Sequence, residues 1–158
     1  MKQRSSRTLV HLLAVSATLA FATAMSAHAV DTPTSTDAPD LTSVRAKIKA
    51  KDFAGALVEL RVMVDKTQHA DVYNLMGFAL RKTKDYQQAL TFYQKALDFD
   101  ANHKSALEYL GELYVETGDL PKARAILARL VVLCPQGCEE REDLEKAIAD
   151  AAPGAKQK

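Results

Sequence analysis

Residues 70–103, ADVYNLMGFALRKTKDYQQALTFYQKALDFDANH, and residues 104–137, KSALEYLGELYVETGDLPKARAILARLVVLCPQG, are two copies of one pattern, and they decide the fold of this 158-residue chain. Small and capping residues fall at matched positions of the two copies with one constant spacing: Gly77 with Gly111, Asp85 with Asp119, and Ala89 with Ala123. Self-similarity at a fixed period of this length indicates a repeat architecture.

Each copy predicts a helical hairpin. Apolar residues recur at helical spacing in two runs, separated by the polar breaks KTKD in the first copy and ETGD in the second. In the second break Gly118 can take the left-handed conformation that ends a helix, and Asp119 can cap the next helix. Lys84 stands at the corresponding position of the first break, so that turn is expected to be strained.

The two copies resemble the tetratricopeptide repeat, whose pattern combines a bulky residue, Leu-Gly, an aromatic residue and two alanines within one repeat unit. The residues that carry the resemblance are Tyr73, Met76, Gly77, Leu80, Tyr86, Ala89, Tyr93 and Ala96 in the first copy, and Leu107, Leu110, Gly111, Tyr114, Gly118, Ala123 and Pro135 in the second. Lys84, Ala101 and Leu130 depart from it.

Weaker units flank the two copies. Upstream, Asp52, Phe53, Ala56, Leu60 and Met63 follow the pattern of the second helix of a repeat, although the spacing from Ala56 to Ala89 is one residue shorter than that from Ala89 to Ala123. Downstream, an apolar stripe of Leu144, Ala147, Ile148 and Ala151 on a charged segment predicts a helix that covers the last hairpin.

The resemblance therefore implies an all-α fold, a right-handed α-solenoid of about three helical hairpins closed by a C-terminal capping helix. The expected domain spans residues 40–152, with repeats at about 37–69, 70–103 and 104–137 and a capping helix at 138–152. Residues 153–158 are expected to be a disordered tail.

Residues 1–29 have the three parts of a cleaved secretory signal peptide. Lys2, Arg4 and Arg7 form a basic start, residues 8–25 are apolar or small except for His11, and Ala27-His28-Ala29 matches a signal-peptidase site. Residues 30–39, rich in Thr, Ser, Asp and Pro, are expected to be a flexible linker. We therefore expect a periplasmic or secreted protein with no membrane span after cleavage.

The charge balance argues against nucleic-acid binding. The leader carries three of the 21 basic residues and none of the 20 acidic ones, which leaves the rest of the chain with a net charge of −2. Such a chain lacks the basic surface that phosphate backbones require.

The only two cysteines, Cys134 and Cys138, flank the break between the third hairpin and the capping helix. In an exported protein an isolated pair favours a structural disulfide. A redox pair and metal ligation are the alternatives. His69 and His103 stand at matching positions of successive loops near the same edge, although they are interpreted as solvated turn residues. No metal or other cofactor is expected.

Nothing in the sequence predicts an enzyme. The chain has no phosphate-binding glycine loop, nucleophile elbow or H-E-x-x-H motif. Glu139, Glu140 and Glu142 are interpreted as the acidic first turn of the capping helix.

A binding function follows from the resemblance, because the first helices of such repeats line a concave groove. The residues expected to be exposed in this groove are Arg45, Lys49, Asn74, Phe78, Arg81, Lys82, Glu108, Tyr109, Glu112 and Glu116, which run from basic to acidic along the stack. Some family members bind a C-terminal carboxylate with groove lysines and asparagines; the glutamates of the third repeat argue against that mode.

The sequence thus favours a non-catalytic exported adaptor or scaffold that binds another envelope protein or peptide. The alternatives are a self-associating structural module, hence a homo-oligomer, and a redox protein that uses the Cys134 and Cys138 thiols.

Overall fold

The computed structural model describes residues 38–152, which form seven α-helices and no β-strand. The helices are α1 (Thr42–Lys49), α2 (Phe53–Val64), α3 (Ala70–Lys82), α4 (Tyr86–Phe99), α5 (Lys104–Glu116), α6 (Leu120–Leu133) and α7 (Glu139–Ala151). The expected signal peptide at 1–29, linker residues 30–37 and the tail at 153–158 lie outside the described residues.

The second helix of each hairpin begins at an aspartate. The side chains of Asp52, Asp85 and Asp119 each accept a hydrogen bond from the backbone N–H three residues further on, at 2.9, 3.2 and 3.2 Å. These bonds satisfy one of the unpaired donors at the start of α2, α4 and α6. The residues that align in the sequence are therefore the ones that begin the helices.

The turn inside each hairpin needs one residue in the left-handed region. Gly118 has φ +82°, and Lys84 at the matching position has φ +69°. Lys84 thus adopts the left-handed conformation in which a side chain with a Cβ is disfavoured, and strain at this turn remains the prediction. Lys51 has φ +61° and forms the same turn in the first hairpin.

Two first helices begin at histidines. His69 Nδ1 accepts a hydrogen bond from the Asp71 backbone N–H at 3.2 Å, and His103 Nδ1 accepts one from the Ala106 N–H at 3.1 Å. The interpretation of His103 as a solvated turn residue was wrong, because its side chain is only 13% exposed and its Nε2 lies 3.0 Å from Asp71 Oδ1.

Small residues allow neighbouring helices to approach closely. Ala89 and Ala123 are fully buried. A Cβ added to Gly77 would lie 2.7 Å from Tyr93 Cδ1, so only glycine lets α3 approach the tyrosine ring of α4 this closely. At Gly111 the close neighbour is instead Leu144 of α7, whose Cδ1 would lie 2.6 Å from an added Cβ.

The arrangement confirms the predicted all-α solenoid of helical hairpins. α1 packs on α2, α3 on α4 and α5 on α6, while α7 packs against both α5 and α6. Leu144 and Ile148 of α7 complete an apolar cluster with Leu107, Ala123 and Leu130. No helix among the seven described combines the length and apolar character needed to cross a bilayer.

Candidate functional site

The ten predicted groove residues lie on α1, α3 and α5, the first helices of the three hairpins. We call the side of the stack that these helices form the first-helix face. Arg45, Lys49, Lys82 and Glu116 are exposed, and Phe78, Tyr109 and Glu112 are half-buried.

A cavity of about 220 Å³ opens where the three first helices meet. Its lining residues are Arg45, Ile48, Lys49, Leu75, Phe78 and Tyr109. Four of these were predicted as groove residues, and the structure brings them together. The walls are mainly apolar and aromatic, and the two cations of α1 are exposed beside them.

Ile48 and Leu75 were missed as groove residues. Both are apolar residues, of helices α1 and α3, and the sequence analysis gave them no role. The available signal was their position: Ile48 lies three residues after Arg45, and Leu75 lies three residues before Phe78, a spacing that places each on the same helix face as the predicted groove residue.

The two predicted aromatic anchors contact each other. The ring centroids of Phe78 and Tyr109 are 4.8 Å apart, with an interplanar angle of 53°. Phe53 of α2 adds an edge contact to Phe78 at 6.3 Å. The rings therefore form a rigid wall between the second and third units while keeping part of their surface exposed.

Arg81 does not lie in an open groove, and the expectation that it is exposed was wrong. Its side chain is 2% exposed, and it donates hydrogen bonds to Glu112 and, at 2.6 Å, to Glu116. Its guanidinium carbon also lies 5.6 Å from the Phe78 ring centroid and 5.7 Å from that of Tyr109. Two carboxylates and two rings of adjacent units thus enclose the charge.

Asn74 and Glu108 are also buried, contrary to expectation. They occupy equivalent positions of the second and third units, on α3 and α5, and are 3% and 7% exposed. The stacking of the next first helix explains the burial, since α3 packs against α5 and α5 packs against α7. Asn74 Oδ1 has no hydrogen-bond partner among the described residues.

The carboxyl group of Glu108 lies in an unfavourable electrostatic environment. Burial raises its pKa to about 8, and Glu112, Asp143 and Glu140 contribute to this rise by repulsion. The positive charge of Arg81 acts in the opposite direction. Glu108 therefore exchanges its proton near neutral pH, unlike an ordinary solvated glutamate.

The cysteines connect α6 to α7 as predicted. Cys134 is the C-cap of α6, Cys138 is the N-cap of α7, and their sulfurs lie at disulfide distance with the Cα atoms 6.0 Å apart. Gly137 between them has φ +99°, a left-handed conformation that glycine adopts readily and that a tight turn between the two helices uses. Within residues 38–152, no group of three or more His, Cys, Asp or Glu side chains is placed to hold a metal ion.

A family comparison matches part of the repeated region. Residues 80–132 match the family described as "Tetratricopeptide repeat". One curated relative is the "Uncharacterized protein ycf37" of Guillardia theta, which is 36% identical over 67 residues. That alignment covers 42% of this chain and 38% of the relative, so the similarity spans well under half of either protein.

Two solved structures share the fold. The Arabidopsis OM64 TPR domain superposes with a TM-score of 0.62 at 21% identity, over 69% of this chain and 90% of that domain. The second TPR domain of human RPAP3, solved in complex with the HSP70 peptide SGPTIEEVD, superposes with a TM-score of 0.59 at 17% identity, over 66% and 88%. The family match and the common fold support a relationship to tetratricopeptide repeat proteins.

Proposed function

We propose that this protein is a non-catalytic adaptor, exported from the cytoplasm, that binds another envelope protein or a segment of one on its first-helix face. The observation that carries this function is the cavity between α1, α3 and α5. A similar fold in human RPAP3 accommodates a peptide, which supports binding as the function of such a stack.

The cavity has the composition of a site for a polypeptide. Its lining includes Ile48, Leu75 and the tilted ring pair of Phe78 and Tyr109, which can bury an apolar side chain of the partner. Arg45 and Lys49 are exposed at its edge, where they can attract an acidic residue beside that apolar side chain. The expected ligand segment therefore combines an apolar or aromatic residue with neighbouring carboxylates.

The binding test is chemical cross-linking followed by pull-down from the cell envelope with the processed protein. Replacing both Arg45 and Lys49 with glutamate should abolish capture of the specific partner, because the edge of the cavity then repels acidic residues. The matched control replaces Lys66 and Lys104, two exposed lysines outside the cavity, with glutamate. Undiminished capture by the cavity variant would refute the assignment.

Export is part of the proposal and has its own test. It is supported by the leader-like residues 1–29 and by a cysteine pair at disulfide distance. Protein purified from an exporting host should begin at Val30 when its N-terminus is sequenced. A chain that retains Met1 or residue 2 in the cytoplasmic fraction would contradict export.

Self-association is a second candidate function, favoured by exposed apolar residues on α2 and α6, the second helices of the first and third hairpins. Val58 and Val62 on α2 are 62% and 51% exposed, and Val132 on α6 is 79% exposed. Exposed apolar surface of this kind can form an interface between copies. Light scattering on the purified protein without partner distinguishes the two functions, since a stable oligomer that dissociates in a Val132→Lys variant would favour self-association.

A further inference from the structure

Glu108 is a buried acid that forms no ion pair with another described residue. It is 7% exposed, and its carboxyl group makes no hydrogen bond or ion pair with another residue in 38–152. An unpaired carboxylate in such a position lowers stability unless a partner satisfies it. Arg81, the cation that acts on it, already donates to Glu112 and Glu116.

The crossing of α5 and α7 gathers other carboxylates around Glu108. Leu144 of α7 packs onto Gly111 of α5, so the residues beside this contact face one another. Glu108 lies one turn before Gly111, and Glu140 and Asp143 lie on the turn of α7 that precedes Leu144. Ser105 Oγ, one turn before Glu108 on α5, donates a hydrogen bond to Glu140 Oε1 at 3.5 Å, which brings this turn of α7 against α5. In agreement with this packing, repulsion from Glu140 and Asp143 contributes to the raised pKa of Glu108.

The cluster is accessible from solvent, although Glu108 itself is nearly covered. Asp143 is exposed, and Glu112 and Glu140 are half-buried. A cation from solvent can therefore contact Asp143, beside the nearly covered Glu108. We call the four residues Glu108, Glu112, Glu140 and Asp143 the acidic subsite.

We propose that the acidic subsite binds one lysine or arginine side chain of the polypeptide held on the first-helix face. This inference rests on the proposed binding function and deepens it. A guanidinium or ammonium group would supply the charge-assisted hydrogen bonds that the Glu108 carboxyl group lacks. The partner is then acidic where it meets Arg45 and Lys49, and basic where it meets α5 and α7.

The titration of Glu108 gives the subsite a distinctive signature. Because the pKa of Glu108 is raised to about 8 by burial and by Glu112, Asp143 and Glu140, against the opposing charge of Arg81, this carboxyl group is largely protonated near neutral pH. A bound cation favours the ionised form, so binding must release a proton. Affinity for a basic side chain should therefore rise with pH.

The test is a titration of the protein with N-acetyl-arginine amide as the probe, and with N-acetyl-citrulline amide as its neutral isostere. NMR signals of the backbone amides and side-chain carboxyl groups report binding. The arginine probe should shift the signals of the acidic subsite saturably, and its affinity should exceed that of the citrulline probe by about tenfold. The affinity should increase from about pH 6 to about pH 9, and the pKa of Glu108 should fall by about one unit at saturation.

Two variants and one control keep the test decisive. Glu108→Gln should remove the pH dependence of binding, and Asp143→Asn, which alters an exposed side chain, should weaken binding in a protein that still folds. Asp150→Asn removes a carboxylate of α7 outside the subsite and should leave binding unchanged. Equal shifts with both probes, unsaturable shifts, or binding unaffected by Glu108→Gln and Asp143→Asn would overturn the proposal.

A calcium titration at matched ionic strength tests whether an inorganic cation is the ligand. Saturation by calcium at a lower concentration than by the arginine probe would also overturn the proposal.

The test of the acidic subsite and the test of the cavity can fail independently of each other. If the arginine probe does not bind while the Arg45→Glu, Lys49→Glu variant still loses its partner, only the acidic subsite is wrong. If the probe binds while that variant captures normally, only the cavity assignment is wrong.

Discussion

The guanidinium group of Arg81 on α3 donates a hydrogen bond to the carboxylate of Glu112 on α5, and the arginine side chain is only 2% exposed. With Glu116 as a second acceptor, this pair joins the second unit of the stack to the third. The interaction is between residues of different repeats, so it holds the first-helix face in register instead of lining an open groove.

Replacing Arg81 with alanine should therefore lower the free energy of unfolding by about 3 kcal/mol, since it removes a buried cation, leaves Glu112 without its partner and leaves Glu116 with only the exposed Lys84 as an ion-pair partner among the described residues. The measurement is urea denaturation followed by circular dichroism. The control is Arg124→Ala, which removes an exposed arginine of α6 and should change stability by less than about 0.5 kcal/mol. Equal losses in both variants would contradict the structural role of Arg81.

Lys84→Gly should stabilise the protein by about 1 kcal/mol, because glycine adopts the left-handed conformation without steric cost. The ion pair lost from Lys84 Nζ to Glu116, at 3.5 Å and with a lysine side chain 70% exposed, contributes little. Lys82→Gly, two residues earlier in the last turn of α3, should instead destabilise the protein by about the same amount, because glycine is unfavourable inside a helix. Thermal and urea unfolding measure both; destabilisation by Lys84→Gly would refute strain at this turn.

Gly111→Ala should destabilise the protein by about 1 to 3 kcal/mol, because the added methyl group overlaps the fully buried Leu144 side chain. Combining it with Leu144→Ala provides the control as a double-mutant cycle measured by urea denaturation. The two substitutions should not be additive, since the smaller side chain makes room for the methyl group. Additive effects would show that α7 does not pack against Gly111.

The raised pKa of Glu108 predicts a pH dependence of stability. The folded state binds this proton more tightly than the unfolded state, so the free energy of unfolding should fall as pH rises from about 4.5 to about 8 through this group. Charges from α5, α7 and α3 act on it, namely Glu112, Asp143, Glu140 and Arg81.

Urea denaturation of wild type and Glu108→Gln across this range isolates the contribution of Glu108, because every other group is common to both proteins. The stability difference between the variant and wild type should increase toward high pH. Parallel pH profiles would show that Glu108 titrates as it does in the unfolded chain.

The double substitution of Cys134 and Cys138 by serine should lower the free energy of unfolding by about 2 kcal/mol, because the cross-link closes only a short loop. Thiol titration of protein taken directly from cells provides the second measurement. A structural disulfide should leave almost no free thiol. A large reduced fraction would instead support the redox alternative.

The sequence predicted the fold because the repeat places residues with defined backbone roles at fixed intervals. Asp85 and Asp119 begin helices, and Gly118 and Lys84 occupy left-handed turns, as the alignment indicated. These roles depend on neighbours within a few residues, which a sequence displays directly.

The candidate site was predicted less completely, because its properties depend on residues far apart in sequence. Arg81 pairs with Glu112 and Glu116, which lie 31 and 35 residues further along the sequence. Without knowledge of that contact, a charged residue on a first helix is expected to be exposed. The environment of Glu108 depends on where α7 crosses α5, which the sequence does not specify. Residue type and periodicity identified the face, whereas packing between units determined which of its charges are free.

The two hydrogen bonds of the His103 side chain affect how the stack unfolds. Because its Nδ1 accepts from the Ala106 N–H, the neutral ring bears its hydrogen on Nε2, which is directed at Asp71 of the preceding unit. One imidazole thus caps α5 and bonds to the start of α3. Fraying of α5 at this end breaks both bonds together, so the second and third hairpins should melt in a single cooperative step.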